Sequence, residues 1–238
     1  MTILAVETSG PLASVALVRD GALLAERSFE ARMTLNQHLA DRVREVVGGP
    51  IAGADLDALA VGIGPGSFTG VRVGVAMSKA MAHALHLPLL GVSAPEAIAA
   101  GLEAEAGTAV CVLQRARADE MYVTALTIDA DGEPVECAPT RVLSLTRALA
   151  RAHDALGRSP DVVCGDAAVR FAAQVAAALP HTQLGDERHA LARATQVARI
   201  AQARVADADP SAAFTLTPRY VRLSQAEREF GVDLGLRG

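Results

Sequence analysis

The chain has 238 residues, of which 51% are hydrophobic, 21% charged and only 3% aromatic, and its formal net charge is -5. This composition predicts an aliphatic, alanine-rich core with room for one large domain or two small ones. The negative charge and the lack of a Lys/Arg cluster argue against a protein that grips nucleic acid by itself, because neutralised phosphates supply most non-specific affinity.

The first half of the chain predicts the element order βββαβαβ. Asp20-Gly21 supplies hairpin turn chemistry between the second and third strands. Thr34 and Gln37 form a capping box at the start of the first helix, and Gly48-Gly49-Pro50 ends it. The predicted strands are residues 3–6, 14–19, 22–28, 56–63 and 88–92, and the second helix ends near residue 85.

A glycine-rich loop, residues 64–74 with the sequence GPGSFTGVRVG, joins the fourth strand to the second helix. Its glycines allow positive φ and close backbone approach, and Ser67 or Thr69 can cap the helix. The loop lacks the Gly-Lys-Ser/Thr ending of a P-loop and the acidic residue of a dinucleotide fingerprint. Three interpretations remain, in this order: tight packing of the helix on the sheet, docking of a partner's backbone, and phosphate binding.

The second half predicts the same order again. Its strands are residues 109–113, 121–128, 133–142 and 161–165, with a turn at 129–132, and its helices are residues 144–156, 167–179 and 190–205. Pro95, Gly101 and Gly107 place a boundary between the halves, which predicts domains of residues 1–100 and 101–238. A duplicated βββαβα unit is typical of the ribonuclease-H-like, actin-like (ASKHA) two-domain α/β fold, which holds nucleotide phosphates between its domains.

Catalysis in that fold needs carboxylates that hold Mg²⁺ and activate the attacking group. The first hairpin offers Glu7-Thr8-Ser9, either as a nucleotide contact or as a turn satisfied by its own hydroxyls. The matching hairpin, residues 113–117, has no carboxylate, and Asp166 is the other candidate. His38 has Arg42 rather than a histidine four residues on, and His83 and His86 lie at the end of the second helix, where positive charge suits the helix dipole, so we predict no metal site.

The N-terminal segment and the cysteines bear on the compartment. Residues 2–18 are apolar but lack a basic start and include Glu7, and no uncharged apolar run has the length of a membrane span. Cys111, Cys137 and Cys164 are widely spaced, without a Cys-x-x-Cys pair. We therefore predict a cytoplasmic protein, without membrane contact, whose thiols are free and buried.

Several of these segments resemble the TsaB (YeaZ) family of bacterial tRNA threonylcarbamoyladenosine proteins. The resemblance lies in residues 5–9 (AVETS), 13–17 (ASVAL) and 64–74, and it continues more weakly through 115–122, Gly165-Asp166 and 218–222. The family commonly has Asp where this chain has Arg115, so the contribution of that carboxylate is in question here.

The resemblance implies a non-catalytic scaffold that pairs with a catalytic TsaD subunit. With a TsaE ATPase, the pair supports transfer of threonylcarbamoyl to N6 of adenosine 37 in tRNAs that read ANN codons. It further implies no cofactor for the chain alone, ATP or ADP only in the complex, tRNA contact only through the complex, and a homodimer when TsaD is missing. The alternative is an ATP-dependent small-molecule kinase or ATPase of the same fold.

The second helix is apolar on more than one face, which is typical of a helix buried on two sides. Gly70, Gly74, Ser78 and Ala82 form a small-residue seam. In the resembling family, the first two helices pair with those of TsaD. Carried onto this chain, that pairing implies an interface of Leu35, His38, Leu39, Arg42, Val43, Val73, Ala76, Met77 and Ala80. Arg72 lies in the first turn, where a cation opposes the helix dipole, so this arginine has either an anion nearby or ordinary solvation.

Overall fold

The computed structural model describes residues 1–31, 35–209 and 211–221, which form two compact units. Unit 1 comprises Met1–Ala94 and Ala192–Arg219, and unit 2 comprises Pro95–Leu191 and the segment that starts at Tyr220. The first boundary follows Ala94, six residues before the predicted end of the first domain at residue 100. The structure differs from the predicted domains in returning residues 192–219 to unit 1.

Eleven strands and eight α-helices are found in the described part of the chain. The strands are β1 (Thr2–Glu7), β2 (Leu12–Arg19), β3 (Ala22–Glu30), β4 (Ala58–Gly62), β5 (Leu89–Val92), β6 (Ala109–Arg117), β7 (Glu120–Ile128), β8 (Pro134–Glu136), β9 (Arg141–Ser144), β10 (Val162–Cys164) and β11 (Gln183–Leu184). The helices are α1 (Leu35–Val47), α2 (Phe68–Leu85), α3 (Ala94–Ala100), α4 (Leu145–Leu156), α5 (Asp166–Arg170), α6 (Ala172–Ala178), α7 (Ala194–Arg204) and α8 (Ala212–Thr215). Among them, no helix has the length and hydropathy that crossing a bilayer requires.

Each unit is built on one mixed sheet, and the two sheets share one strand order. In unit 1 the order is β3-β2-β1-β4-β5, with β1 antiparallel to β2 and parallel to β4. In unit 2 the order is β11-β10-β6-β7-β8, and β9 also pairs with β7. The first strand of each unit therefore lies between an antiparallel hairpin partner and a parallel crossover strand, as the duplicated βββαβα pattern predicted.

Both faces of the unit 1 sheet are covered by helices. Leu4 and Val6 belong to a core that also contains buried residues of α1 and α2. Because successive side chains of a strand point to opposite faces, Ile3 and Ala5 face the other side, and both are fully buried. Helix α7 contacts β1, β2 and β4 and covers that side. This is why residues 192–219 belong to unit 1: a central strand buried along its whole length needs a helix on each face.

Three elements in the second half of the chain differ from the predicted ones. The predicted strand 133–142 is two short strands, β8 and β9, and Pro139 between them has no N–H to continue a ladder. The predicted helix 167–179 is interrupted at Phe171, whose φ of -105° and ψ of 25° are not helical. The last predicted helix begins at Ala194 rather than at residue 190, because Arg193 is extended.

Turns and thiols test two further predictions. Asp20 and Gly21 have φ values of 49° and 79°, as a two-residue hairpin turn requires, which confirms that prediction. Thr34, the predicted cap of α1, lies outside the described residues.

All three cysteines are free. Cys111 and Cys164 are buried, and burial raises the pKa of the Cys111 thiol to about 12, but the prediction of buried thiols is wrong for Cys137, which is exposed beyond the end of β8.

Candidate functional site

The glycine-rich loop is hydrogen-bonded to the turn that follows β1. The Ser67 N–H donates to the Ser9 carbonyl at 2.7 Å. A Cβ added at Gly66 would overlap the same carbonyl, so only glycine permits this approach. The Ser67 hydroxyl then accepts from the Gly70 N–H at 3.1 Å and caps α2, which confirms one of the two predicted caps.

The seam of α2 packs directly on Thr8. The Thr8 hydroxyl donates to the Gly70 carbonyl at 2.8 Å. A Cβ at Gly70 would overlap the Thr8 carbonyl, and a Cβ at Gly74 would overlap the Thr8 hydroxyl. Within unit 1, these contacts match the first of the three interpretations of the loop, in which glycines let the helix pack closely on the sheet.

Glu7 ends β1 with its carboxyl group turned into the protein. The side chain is fully buried, and Oε1 accepts from the Ser9 N–H. Its other oxygen, Oε2, has no hydrogen-bond partner among the residues that the structure describes. Gly62 of β4 makes room for it, since a Cβ at that position would overlap Oε2. Burial raises the pKa of the Glu7 carboxyl above its usual range, and the hydrogen bond from Ser9 offsets part of that rise.

Replacing Glu7 with glutamine is expected to make stability less dependent on pH. A raised pKa means that the folded state holds the Glu7 proton more tightly, so this group lowers stability as the pH rises from about 4.5 through the folded pKa. Glu7→Gln removes that loss. Its free energy of unfolding should exceed that of the wild type at neutral pH, by a margin that grows at most about 1.4 kcal/mol per pH unit over the window. Urea unfolding of both proteins between pH 4 and 8 measures this, and parallel pH profiles would contradict it.

The predicted cleft residues are thus held by contacts within their own unit. Glu7 and Thr8 are fully buried and Ser9 is 5% exposed. These contacts match the alternative in which the turn is stabilised by hydrogen bonds to its own side chains. Nucleotide contact by Glu7, Thr8 and Ser9 stays a prediction. In unit 2, the Asp166 carboxylate accepts from the Arg115 N–H at 2.8 Å, and burial raises its pKa. The described residues contain no group of three His, Cys, Asp or Glu side chains that could hold a metal ion.

Three of the nine predicted interface residues face inward. Leu35, Leu39 and Val43 are 6%, 0% and 2% exposed, and Leu39 and Val43 lie in the core of unit 1. The sequence could not separate this face from a partner face, because one apolar stripe with a helical period fits either role. The structure therefore removes these three residues from the candidate surface.

The other six residues lie at or near the surface of unit 1. His38, Ala76 and Ala80 are exposed, while Arg42, Val73 and Met77 are half-buried. Arg42 pairs with Glu45 and lies 6.0 Å from the centre of the Phe29 ring. Val73 and Met77 pack against the edge of the core. We define the α2 outer face as Arg72, Val73, Ala76, Met77 and Ala80.

Arg72 at the start of α2 has an aromatic partner. Its guanidinium lies 4.6 Å from the centre of the Phe68 ring, and the ring is 37% exposed. A cation over an aromatic face is stabilised by the quadrupole of the ring, which offsets the unfavourable helix dipole. This pair was not predicted, although Phe68 and Arg72 stand four residues apart, the spacing at which side chains of one helix meet.

Comparison with known proteins identifies a family. Residues 48–229 match the family model described as TsaD: tRNA N6-adenosine threonylcarbamoyltransferase. The tRNA threonylcarbamoyladenosine biosynthesis protein TsaB of Bacillus subtilis is 36% identical over 101 residues, which are 42% of this chain and 44% of that protein. TsaB of Escherichia coli is 35% identical over 136 residues, 56% of this chain and 58% of that protein. The matches thus span about half the length of these curated relatives.

Structural comparison extends the match over almost the whole chain. The structure of YeaZ from Pseudomonas aeruginosa superimposes with a TM-score of 0.69 and 27% identity, covering 92% of this chain and 99% of that one. A two-domain actin-like fold accounts for both sheets and their shared strand order.

Proposed function

The chain belongs to the TsaD family of tRNA N6-adenosine threonylcarbamoyltransferases, with the features of its TsaB (YeaZ) members, and from that membership we propose that it is a non-catalytic scaffold subunit of a bacterial tRNA threonylcarbamoyladenosine complex. It pairs with a TsaD-like catalytic subunit and acts in the cytoplasm with a TsaE-like ATPase. The complex transfers threonylcarbamoyl to adenosine 37 of tRNAs that read ANN codons. Without its partner, the chain forms a homodimer.

The observation that carries the non-catalytic role is the enclosure of Glu7. A carboxylate that binds Mg²⁺ or activates water must reach the reacting group, but this carboxyl is fully buried against Gly62. The Asp166 carboxylate is occupied by the Arg115 backbone N–H, and position 115 itself carries a guanidinium rather than a carboxylate. These positions disfavour the kinase or ATPase alternative.

The α2 outer face supports the scaffold role. Ala76 and Ala80 are exposed one turn apart, and small side chains there let another helix approach closely. Val73 and Met77 flank them with apolar surface. The net charge of -5 makes tRNA binding by this chain alone weak, so the proposal assigns tRNA contact to the assembled complex.

A glutamate at Ala80 is expected to abolish pairing with the TsaD-like protein of the same organism. The added carboxylate would be desolvated against an apolar partner, which weakens binding by about two orders of magnitude or more. The matched control is Ala150→Glu, the same change at an exposed alanine of α4 in unit 2. Gel filtration with light scattering should show a 1:1 complex for the wild type and for Ala150→Glu, but separate proteins for Ala80→Glu.

Two outcomes would count against the proposal. Pairing that survives Ala80→Glu would place the interface away from the α2 outer face. If the wild type formed no complex and hydrolysed ATP by itself, the scaffold role would fall and the kinase alternative would replace it. Circular dichroism of each variant shows whether a lost complex reflects lost folding instead.

A further inference from the structure

Lys79 is the single lysine of the chain; the other 21 of its 22 basic residues are arginines. It lies on α2, half-buried, and faces residues 211–219, which we call the C-terminal latch. The Lys79 ammonium donates to the carbonyls of Phe214 and Leu216, at 2.7 and 3.0 Å. These carbonyls lie at the end of α8, where helical hydrogen bonding leaves acceptors without partners.

The geometry accounts for a lysine here. An ammonium is a compact charge with three donors that can point at two converging carbonyls, whereas the planar guanidinium of arginine suits the paired oxygens of a carboxylate. The latch itself is short, since α8 has only four residues. Such a helix has little stability of its own, so its position depends on tertiary contacts.

The latch also reaches the base of the glycine-rich loop. The Arg219 N–H donates to the carbonyl of Ile63, the residue between β4 and Gly64. The Leu216 side chain packs on β5 where Gly91 leaves space, since a Cβ there would lie 2.7 Å from Leu216 Cδ1. The Gly64 carbonyl in turn accepts from the Ala94 N–H at 2.8 Å. One continuous set of contacts thus joins Lys79, the latch and the start of the loop.

We propose that the charge on Lys79 keeps the C-terminal latch in place. The ammonium holds the latch against α2 by hydrogen bonds, and loss of the charge releases the latch and allows the start of the glycine-rich loop to open more often. Charge-assisted hydrogen bonds are about twice as strong as neutral ones, and neutralising the Lys79 amine removes two of them from the latch. The device lies wholly within unit 1 and does not depend on a partner protein.

Hydrogen exchange of the Lys79→Met variant tests whether the Lys79 charge holds the latch. The variant keeps the length of the side chain but loses the charge and both bonds. The amides of Leu216 and Arg219, which donate to Ala212 and Ile63, should exchange roughly tenfold to a hundredfold faster than in the wild type. The Ala94 amide should exchange faster as well, while the amides between β1 and β2 stay protected. Arg72→Met, which removes a cation from the same helix without touching the latch, should change none of the latch amides.

Chemical modification gives a second test on the folded wild type. Reductive methylation converts the single lysine to a dimethylammonium, which keeps the charge but has one proton for two carbonyls, whereas acetylation removes the charge. Exchange at Arg219 should be fastest after acetylation and intermediate after methylation. If the exchange rate of the Arg219 amide were unchanged both after acetylation and in Lys79→Met, the proposal would be overturned. If the Arg219 amide exchanged faster while the rate at Ala94 stayed the same, only the link to the loop would be overturned.

Discussion

Leu39→Glu is expected to unfold unit 1 rather than only to disrupt a surface. Leu39 is fully buried among aliphatic side chains that include Leu4 and Val43. An unpaired carboxylate there loses its hydration, and the lost leucine packing adds about 2 to 5 kcal/mol. The total is comparable with the whole stability of a typical domain, about 5 to 15 kcal/mol. Thermal unfolding followed by circular dichroism should show no cooperative transition near that of the wild type.

The neighbouring position supplies the control. His38 is exposed on the same helix, so His38→Glu adds the same charge without burying it, and it should unfold within a few degrees of the wild type. A Leu39→Glu protein that kept its fold but lost its partner would show that the helix turns this face outward, as the sequence first suggested.

Gly70→Ala is expected to destabilise the protein although alanine is the better helix former. Alanine gains about 1 kcal/mol over glycine inside a helix. The new methyl group, however, would overlap the Thr8 carbonyl, a main-chain atom of a fully buried residue that has little freedom to move. Overpacking of this kind costs about 1 to 3 kcal/mol and more where backbone must shift, so we expect a net loss of roughly 2 kcal/mol in urea unfolding.

Gly53→Ala is the matched substitution for this experiment. No heavy atom in the described part of the chain lies within 4 Å of a Cβ built at Gly53, and the φ of Gly53 is not in the left-handed region. Its unfolding free energy should stay within about 0.5 kcal/mol of the wild type. If Gly70→Ala were as stable as Gly53→Ala, α2 would not be seated on Thr8 as closely as the structure shows.

Local patterns predicted most of the strands and helices, because each has a clear period and clear end signals. The packing of α7 on the unit 1 sheet was not predicted, because the apolar stripe of an amphipathic helix does not show which sheet it covers. The signal that could have found it is β1, an apolar run that reads as buried on both faces. Two helices alone, α1 and α2, leave one of those faces without cover.

The candidate site was less predictable than the fold. The sequence showed that the glycines permit a close approach, but not that Thr8 is the group approached, because β1 and α2 are some 60 residues apart and their register depends on the folded sheet. Likewise, Glu7 was a plausible ligand until its carboxyl was found against Gly62. Which side of an element faces inward is decided by its packing partners, and those come from distant parts of the chain.

Because α7 belongs to unit 1 but follows most of unit 2 in the chain, the order of synthesis limits when unit 1 can fold completely on the ribosome. The whole of Pro95–Leu191 is synthesised between the two segments of unit 1. Until α7 has emerged, Ile3 and Ala5 on the inner strand remain open to water or to a chaperone. All five strands of unit 1 are therefore made before unit 2, yet one face of that sheet stays uncovered until Pro95–Leu191 has been synthesised.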